Sequence, residues 1–150
     1  MTKVGRPKSA NPRSLTIPEV RVTREEYRMF KLKAAQYASD STAKLIRNAI
    51  KAYKTVIEEA CQCGTMMKES KGTEQYKFQL DEIEHYITIT NIPVYQCPEC
   101  DLEERNLFLF ATLEEIIEEE VDWRVKNRLP LPTEIDFNDL VQAKELTYNT

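Results

Sequence analysis

The sequence predicts an α+β fold made of two parts, and three observations support this prediction. Alternating valines at Val20 and Val22 precede two segments in which apolar residues recur at helical spacing. In the middle of the chain, two pairs of cysteines flank two segments that have the composition of strands. Residues 107–128 then carry an apolar stripe with the period of an amphipathic helix. A chain of 150 residues accommodates this as one domain or two small ones.

Residues 1–18 are expected to form a flexible basic arm, because they combine several prolines with spaced cations. The run Gly5-Arg6-Pro7-Lys8 resembles the core of an AT-hook, an arm that enters the minor groove of A·T-rich DNA. A plain basic tail that touches phosphates without sequence preference explains the same residues. The cations expected to contact the DNA backbone or minor groove are Lys3, Arg6, Lys8 and Arg13.

Glu19–Val22 is predicted to be a short strand with one buried face, because Val20 alternates with polar neighbours. Thr23 precedes Glu26 by the spacing of a capping box, in which the Thr hydroxyl accepts from the Glu26 backbone N–H while the Glu carboxylate reaches back. A first helix is therefore expected to start here. Its apolar positions are Tyr27, Phe30, Ala34 and Tyr37.

A polar break at residues 39–42 is expected to separate the first helix from a second one and to cap the latter. The second helix is expected to run to about Ala60. Its apolar stripe is Ile46, Ala49, Ile50, Tyr53 and Ile57.

A lone strand at residues 19–22 would expose unpaired backbone N–H and C=O groups, so pairing with a second copy of the chain is expected. This order of strand, helix and helix resembles the ribbon–helix–helix family of DNA-binding dimers, the MetJ/Arc type, over residues 19–60. The resemblance implies a two-stranded ribbon in the major groove whose outward side chains read bases. An ordinary helix pair with a stray strand is the alternative interpretation.

The resemblance also implies roles for individual residues. Arg21 would face the bases, where its guanidinium can bond guanine O6 and N7 together. Glu19 would also face outward and could accept from cytosine, and Thr23 would assist. The family uses the N-terminus of the second helix against phosphate, and Ser41 and Thr42 match that position.

The four cysteines are interpreted as metal ligands. Two cysteine pairs separated by the strand-like segments Tyr76–Leu80 and Tyr86–Thr90 have the layout of a zinc ribbon, in which a hairpin brings two tight turns together. Four thiolates complete the tetrahedral shell of a structural zinc site, and no open position for catalysis is expected. The predicted ligands are Cys61, Cys63, Cys97 and Cys100. His85 is the reserve ligand if Cys61 or Cys63 drops out, and otherwise a surface residue.

Residues 61–106 are assigned to this zinc ribbon, and their sequence resembles the YgiT-type zinc-finger family of antitoxin-like proteins. The resemblance rests on the opening cysteine pair with Gly64, and on Ile89–Gln96 running straight into Cys97–Cys100. The chain opens with C-x-C where the family has C-x-x-C, and Asp101 stands where the family has glycine. Asp tolerates the left-handed backbone that such a glycine supplies.

Residues 107–150 are expected to form a helical C-terminal extension. Its helix carries Leu113, Ile116, Ile117 and Val121, with Trp123 and Val125 beside them, and a series of glutamates on its outer face. The stripe is expected to pack on the zinc ribbon or across the dimer, or else to dock a protein partner. Leu129-Pro130-Leu131-Pro132 ends the helix, and a short tail is expected to pack back through Ile135, Phe137, Leu140 and Val141.

The charge is strongly divided along the chain. Residues 1–53 hold 12 Lys and Arg against 4 Asp and Glu, a net charge of +8, whereas the remaining residues hold 9 against 21, a net charge of -12. A basic front favours contact with a polyanion such as double-stranded DNA, although clustering on solvated faces is the simpler alternative. No apolar run approaches the ~20 residues of a membrane span, and no signal peptide is expected. With one histidine and no catalytic set, an enzyme is not expected.

The sequence therefore predicts a dimeric, sequence-specific DNA-binding regulator, a repressor with a structural Zn²⁺, in the cytoplasm of a bacterium or a phage-infected host cell. The first alternative is an antitoxin-like or phage-encoded interaction protein, in which the zinc-binding and acidic half neutralises a protein partner through residues 107–150 and DNA binding only autoregulates. The second alternative is a metal- or redox-sensing regulator whose C-x-C pair makes the zinc labile.

Overall fold

A computed structural model describes Arg13, residues 15–17, residues 19–144 and Leu146. It is a mixed α+β structure, which confirms the predicted fold class at this level. The chain divides into two compact units after Ile50. The elements in chain order are α1 (Arg24–Tyr37), α2 (Thr42–Ala52), β1 (Lys68–Leu80), β2 (Ile83–Gln96), β3 (Glu103–Glu104), α3 (Leu107–Lys126), β4 (Glu134–Asp136) and α4 (Phe137–Val141).

Both helices of the first unit begin at the predicted caps. The Thr23 hydroxyl accepts a hydrogen bond from the Glu26 backbone N–H at 3.1 Å, and the Thr23 N–H donates to the Glu26 carboxylate at 2.8 Å. This is the predicted capping box. The Ser41 hydroxyl accepts from the Lys44 N–H at 3.1 Å and so caps α2.

The second helix is shorter than the sequence suggested, since it ends at Ala52 and residues 53–59 have no regular structure. Thr55, Val56 and Ile57 are three consecutive β-branched residues, which disfavour a helix. The chain also needs to be extended at Glu59, because the Glu59 carbonyl accepts a hydrogen bond from the Met67 N–H at 2.8 Å.

Residues 19–22 form no strand within the single chain. Val20 and Val22 are 76% and 41% exposed, so neither side chain is buried. Pairing of this segment with a second copy therefore stays a prediction.

The second unit is built on a long antiparallel hairpin of β1 and β2. Asp81 and Glu82 connect the strands with φ of 49° and 64°, which is the backbone of a type I′ turn. The predicted segments Tyr76–Leu80 and Tyr86–Thr90 lie inside these strands, which extend further towards the cysteines. The alternation predicted in the second segment is confirmed, because Ile87 and Ile89 are both fully buried.

A bulge on β2 keeps the buried face of this strand continuous. The pairing slips between Gly72 and Glu74, and Asn91 takes a left-handed φ of 58°. This extra residue shifts the alternation by one position, so that Ile92 and Val94 are buried with Ile87 and Ile89 rather than exposed. The Asn91 amide donates to the Asp136 carboxylate at 2.9 Å, which fixes the bulge to the end of β4.

The core lies between the hairpin and α3. β4 pairs with β2 in parallel, on the edge of β2 opposite β1. The buried cluster is Ile87, Ile89, Ile92, Leu113, Ile117, Val121 and Ile135, and the half-buried Phe137 and Leu140 pack against it. The predicted return of the C-terminal tail is thus confirmed for Ile135, Phe137 and Leu140. It is wrong for Val141, which is 58% exposed.

The buried face of α3 differs from the predicted stripe. Ile116, Trp123 and Val125 are 40%, 53% and 47% exposed, whereas Arg124 is 3% exposed. Arg124 forms an ion pair with Glu120 and donates to the Pro130 carbonyl at 2.9 Å. Since a buried cation is stable only when it is paired, this arrangement ties the Leu129–Pro132 segment to the end of the helix.

Replacing Gly72 by alanine is expected to destabilise the second unit by about 1–3 kcal/mol. An added Cβ would lie 2.8 Å from Val94 Cγ1, and Val94 is 1% exposed. Valine has few alternative rotamers, so it cannot move aside cheaply. The change should lower the denaturant midpoint, although alanine is ordinarily preferred over glycine in a strand. Thr73→Ala, at the exposed neighbour, is the control, and equal stability of both variants would contradict the clash.

Candidate metal centre and DNA-reading segment

The first cysteine pair sits in a tight turn at the open end of the long hairpin. Ala60 and Met66 form an isolated antiparallel bridge around it. The Cys61 N–H donates to the Thr65 carbonyl at 2.9 Å, and the Gly64 N–H donates to the Cys61 carbonyl at 2.9 Å. Gly64 has φ of 88°, a conformation that favours glycine.

The second pair sits in a similar turn that is one residue longer. The Cys97 N–H donates to the Leu102 carbonyl at 2.9 Å, and the Asp101 N–H donates to the Cys97 carbonyl at 3.1 Å. Asp101 has φ of 57°, so the left-handed conformation expected at this position is confirmed. In both turns the residue after the second cysteine is left-handed, which shows how the short C-x-C loop reaches the geometry of the longer one.

The four sulfurs converge on one point. Cys61 Sγ lies 3.5 Å from Cys100 Sγ, and Cys63 Sγ lies 3.5 Å from Cys97 Sγ. All four Sγ atoms lie within 4.8 Å of one another, and no disulfide links them. A tetrahedral zinc with Zn–S bonds of ~2.3 Å requires sulfur–sulfur separations of about 3.8 Å. The donor set and its spacing therefore fit a four-thiolate metal site.

The four cysteines differ in burial, and the pKa values of two of their thiols are shifted in opposite directions. Cys61 and Cys97 are buried, whereas Cys63 and Cys100 are exposed. Hydrogen bonds from the side chain and backbone of Thr65 lower the pKa of Cys63 to about 6. The Cys63 backbone amide favours the Cys61 thiolate, but burial and the other three thiols outweigh it and raise the pKa of Cys61 to about 12. The Cys63 thiol therefore ionises more readily than the Cys61 thiol.

His85 is not part of the cluster. It faces Phe78 across the hairpin, with ring centroids 5.5 Å apart and nearly parallel planes. It lies near the turn, whereas the cysteines flank the opposite end, so about ten residues of strand separate them, or roughly 30 Å. The structure therefore gives His85 a packing role.

The predicted base-reading residues lie together at the start of α1. Glu19, Arg21 and Thr23 are all exposed. The Thr23 hydroxyl oxygen accepts from Glu26, so this side chain is held by the helix cap. Glu19 and Arg21 form no side-chain hydrogen bond or ion pair with the described residues.

The predicted phosphate-contacting residues fall into two groups. Ser41 and Thr42 lie at the N-terminus of α2, where the Ser41 N–H already donates to the Ala38 carbonyl at 3.0 Å, so the Thr42 N–H is the one of the two that can face an anion. Ser41 uses its hydroxyl to cap the helix. Arg13 is exposed. Lys3, Arg6 and Lys8, with the AT-hook-like run, lie outside the described residues.

Sequence reasoning missed two features of these regions. Thr65 was not recognised as a partner of Cys63, although a hydroxyl residue directly after a cysteine turn is the local signal for such a bond. Sequence reasoning also missed that the described residues of the first unit bury only Ala34 and Ala38, which only the burial of each side chain reveals.

Comparison of the chain with protein families, with curated proteins and with solved structures found no match in any of the three. None of the helices in the described part of the chain has both the length and the apolar character that crossing a bilayer demands.

Proposed function

We propose that this chain is a dimeric, sequence-specific DNA-binding transcriptional regulator of the ribbon–helix–helix type, a repressor that carries a structural zinc site and has no catalytic activity. It would act in the cytoplasm of a bacterium or of a phage-infected cell. Two copies would present a shared ribbon to the major groove, and the YgiT-like cysteine turns would hold Zn²⁺ through Cys61, Cys63, Cys97 and Cys100.

The burial pattern of the first unit is the observation that carries this proposal. Among its described residues only Ala34 and Ala38 are buried. Two alanines cannot stabilise a helix pair, since a stable domain needs a much larger apolar core. Most of the large apolar side chains described there are exposed instead, while Phe30 and Leu45 are half-buried. The exposed ones include Tyr27, Met29, Leu32, Tyr37, Ile46 and Ile50. A second copy of the same surface would bury them.

An open groove between the two helices marks where this burial would begin. It has a volume of about 490 Å³ and is lined mainly by apolar side chains. Phe30, Leu45 and Ile46 are among them. Packing of α2 from a second copy against this groove would fill it and would bring the two copies of Glu19–Val22 within reach of each other.

In a paired ribbon, alternation decides which side chains meet DNA. Val20 and Val22 would point towards the helices, so Arg21 would point away from them, towards base edges. Its fork can recognise guanine through O6 and N7. Glu19 and Thr23 flank it on the same outward face, and the Thr23 O–H hydrogen can still donate.

Phosphate contacts would position the ribbon on the duplex. At the N-terminus of α2, the Thr42 backbone N–H, beside the Ser41 hydroxyl, would meet a phosphate. The basic arm, with Lys3, Arg6, Lys8 and Arg13, would follow the backbone or the minor groove. Residues 1–53 supply the net charge of +8 that such contacts require.

The test of base reading is Arg21→Ala. We expect it to weaken binding to the preferred DNA site by about 1–3 kcal/mol and to relax the base preference, because a bidentate contact is lost. Selection of sites from a random DNA pool, followed by gel shifts, measures both effects. Lys54→Ala removes the same charge from an exposed position outside the ribbon and should leave the preference unchanged. An unaltered preference in Arg21→Ala would remove this residue from the role.

A second candidate function is an antitoxin-like or phage-encoded interaction protein. It is favoured by the acidic outer face of α3, where Glu114, Glu115, Glu118 and Glu119 are all exposed. In that case the second unit would neutralise a protein partner, and DNA binding would only adjust expression of the chain itself.

A further inference from the structure

One long edge of the sheet in the second unit has no partner. Among the described residues β1 pairs only with β2, and no strand covers its other edge. β1 has 13 residues, which corresponds to about 43 Å of strand. It contains no proline, and the bulge of the hairpin lies on β2 instead. Proteins usually block such an edge, so a long regular one offers a template for strand addition.

Beside this edge runs a groove that we name the β1–α3 groove. It has a volume of about 250 Å³. One wall is Tyr76–Leu80 of β1, and the other wall is formed by Glu114, Ile117, Glu118, Val121 and Asp122 of α3. The half-buried Tyr76, Phe78 and Leu80 continue the apolar core towards the opening, so the floor of the groove is apolar.

Three carboxylates line the outer rim of this groove. Glu114, Glu118 and Asp122 are spaced by four residues, so they follow one side of α3 at intervals of about 6 Å. All three are exposed, and none of the ion pairs formed among the described residues involves them. Their charge reaches the groove, since the pKa of Tyr76 is raised by burial and by the charges of Glu74 and Glu114.

Lys77, which lines the groove, and Arg105, whose charge acts on Tyr76, both already have acidic partners. Arg105 forms ion pairs with Glu74 and Glu103 and lies over the Phe110 ring, with 4.9 Å from its guanidinium carbon to the ring centroid. Lys77 forms an ion pair with Glu84 at 2.6 Å. The rim therefore keeps its negative charge.

We propose that the β1–α3 groove docks an extended segment of a partner protein by strand addition to β1, and that this segment carries basic residues at alternate positions, on the strand face turned towards α3. Side chains on one face of a strand repeat at about 6.7 Å, close to the spacing of the three carboxylates along the helix. Basic side chains can thus follow the rim in step, while the backbone pairs with β1. This proposal deepens the second candidate function, the antitoxin-like interaction protein, because it states which kind of protein segment the second unit would bind. It does not depend on DNA binding by the first unit.

Charge complementarity selects a foreign segment over a second copy of β1. The matching part of β1, Tyr76–Leu80, contains a single cation, Lys77, which is paired with Glu84. A symmetric pair of β1 edges would therefore bring two uncompensated acidic rims together, and the like charges of the two rims would repel each other.

The experiment uses the full zinc-loaded chain and a seven-residue peptide that alternates lysine and valine. Binding is measured by calorimetry, and hydrogen exchange of the β1 amides is followed by NMR. We expect the peptide to add protection at those amides within Tyr76–Leu80 that face away from β2, and we expect no binding of a glutamate–valine peptide. A lysine–valine peptide with alternate amides N-methylated should also fail, because it cannot pair with the edge. Binding that survives N-methylation would overturn strand addition.

Two charge-matched variants test the rim. The first variant combines Glu114→Gln, Glu118→Gln and Asp122→Asn. It should lower the affinity for the lysine–valine peptide at least ten-fold. The control combines Glu115→Gln, Glu119→Gln and Glu99→Gln, all at exposed positions outside the groove. It should change the affinity less than two-fold. Equal weakening by both variants would show attraction by net charge alone and overturn the proposal. Protection in the free chain of the β1 amides that face away from β2 would do so as well, since a second copy would then occupy the edge. Neither result affects the DNA-binding proposal, which the Arg21 variant tests separately.

Discussion

Ile46→Glu should convert the protein from a dimer to a monomer and should abolish specific DNA binding. Ile46 lines the groove between α1 and α2 and is 44% exposed in the single chain. In the proposed dimer it becomes buried in both copies, so a carboxylate there would lose its hydration twice without a partner. A cost of about 3 kcal/mol or more per dimer corresponds to a loss in dimer affinity of at least roughly 100-fold.

Analytical ultracentrifugation and gel shifts on the same sample measure both consequences. Ala35→Glu adds the same charge at an exposed position of α1 that does not line the groove, so it should leave dimerisation intact. If Ile46→Glu stayed dimeric at micromolar concentration, the copies would have to associate through another surface. The ribbon proposal would then lose its structural basis.

Loss of the metal should have the largest effect on the stability of the second unit. Structural zinc sites contribute on the order of 10 kcal/mol of binding free energy, and the two cysteine turns have little else to hold them. The buried cluster around them is small and consists, among the described residues, of Cys61, Met67 and Cys97, with Tyr95 packed alongside. We expect Cys97→Ser or a chelator to disorder the cysteine turns and to lower the thermal midpoint of this unit by roughly 20 °C or more.

The rest of the second unit should keep its helix under these conditions. The main core between the hairpin and α3 is a separate cluster that contains no cysteine. Circular dichroism would therefore retain the α3 signal at 25 °C, while NMR signals from the cysteine turns would be lost. His85→Ala is the matched control and should still bind one zinc per chain by elemental analysis. A Cys97→Ser protein with full zinc content and unchanged stability would show that the cluster is not the metal site.

Local signals were sufficient for several parts of this structure. The capping box at Thr23 and the cap at Ser41 depend on residues three positions apart, and both are present. The alternation at Ile87 and Ile89 needs only the period of a strand. Convergence of the cysteines follows from pairing of the two segments between them, since a hairpin brings its ends together whatever its length.

Features that depend on distant parts of the chain could not be predicted in this way. The strands are longer than the predicted segments. Polar residues such as Lys71 also pair with β2, but the sequence around them lacks the apolar alternation by which a strand is predicted. Ile116 satisfies the helical period but is exposed, whereas Arg124 is buried because Glu120 and the Pro130 carbonyl satisfy it.

The sequence by itself determined where helices begin, which strand face is apolar and which four side chains can bind a metal, because each depends on neighbouring residues. Only the tertiary structure decided which face of α3 is buried, how the bulge at Asn91 resets the alternation of β2, and that β1 keeps an open edge beside three carboxylates. These depend on which elements pack together, and that packing is set by contacts between residues far apart in the chain. The small core of the first unit belongs to the same group, since only side-chain burial shows that Ala34 and Ala38 are the buried residues among those described there.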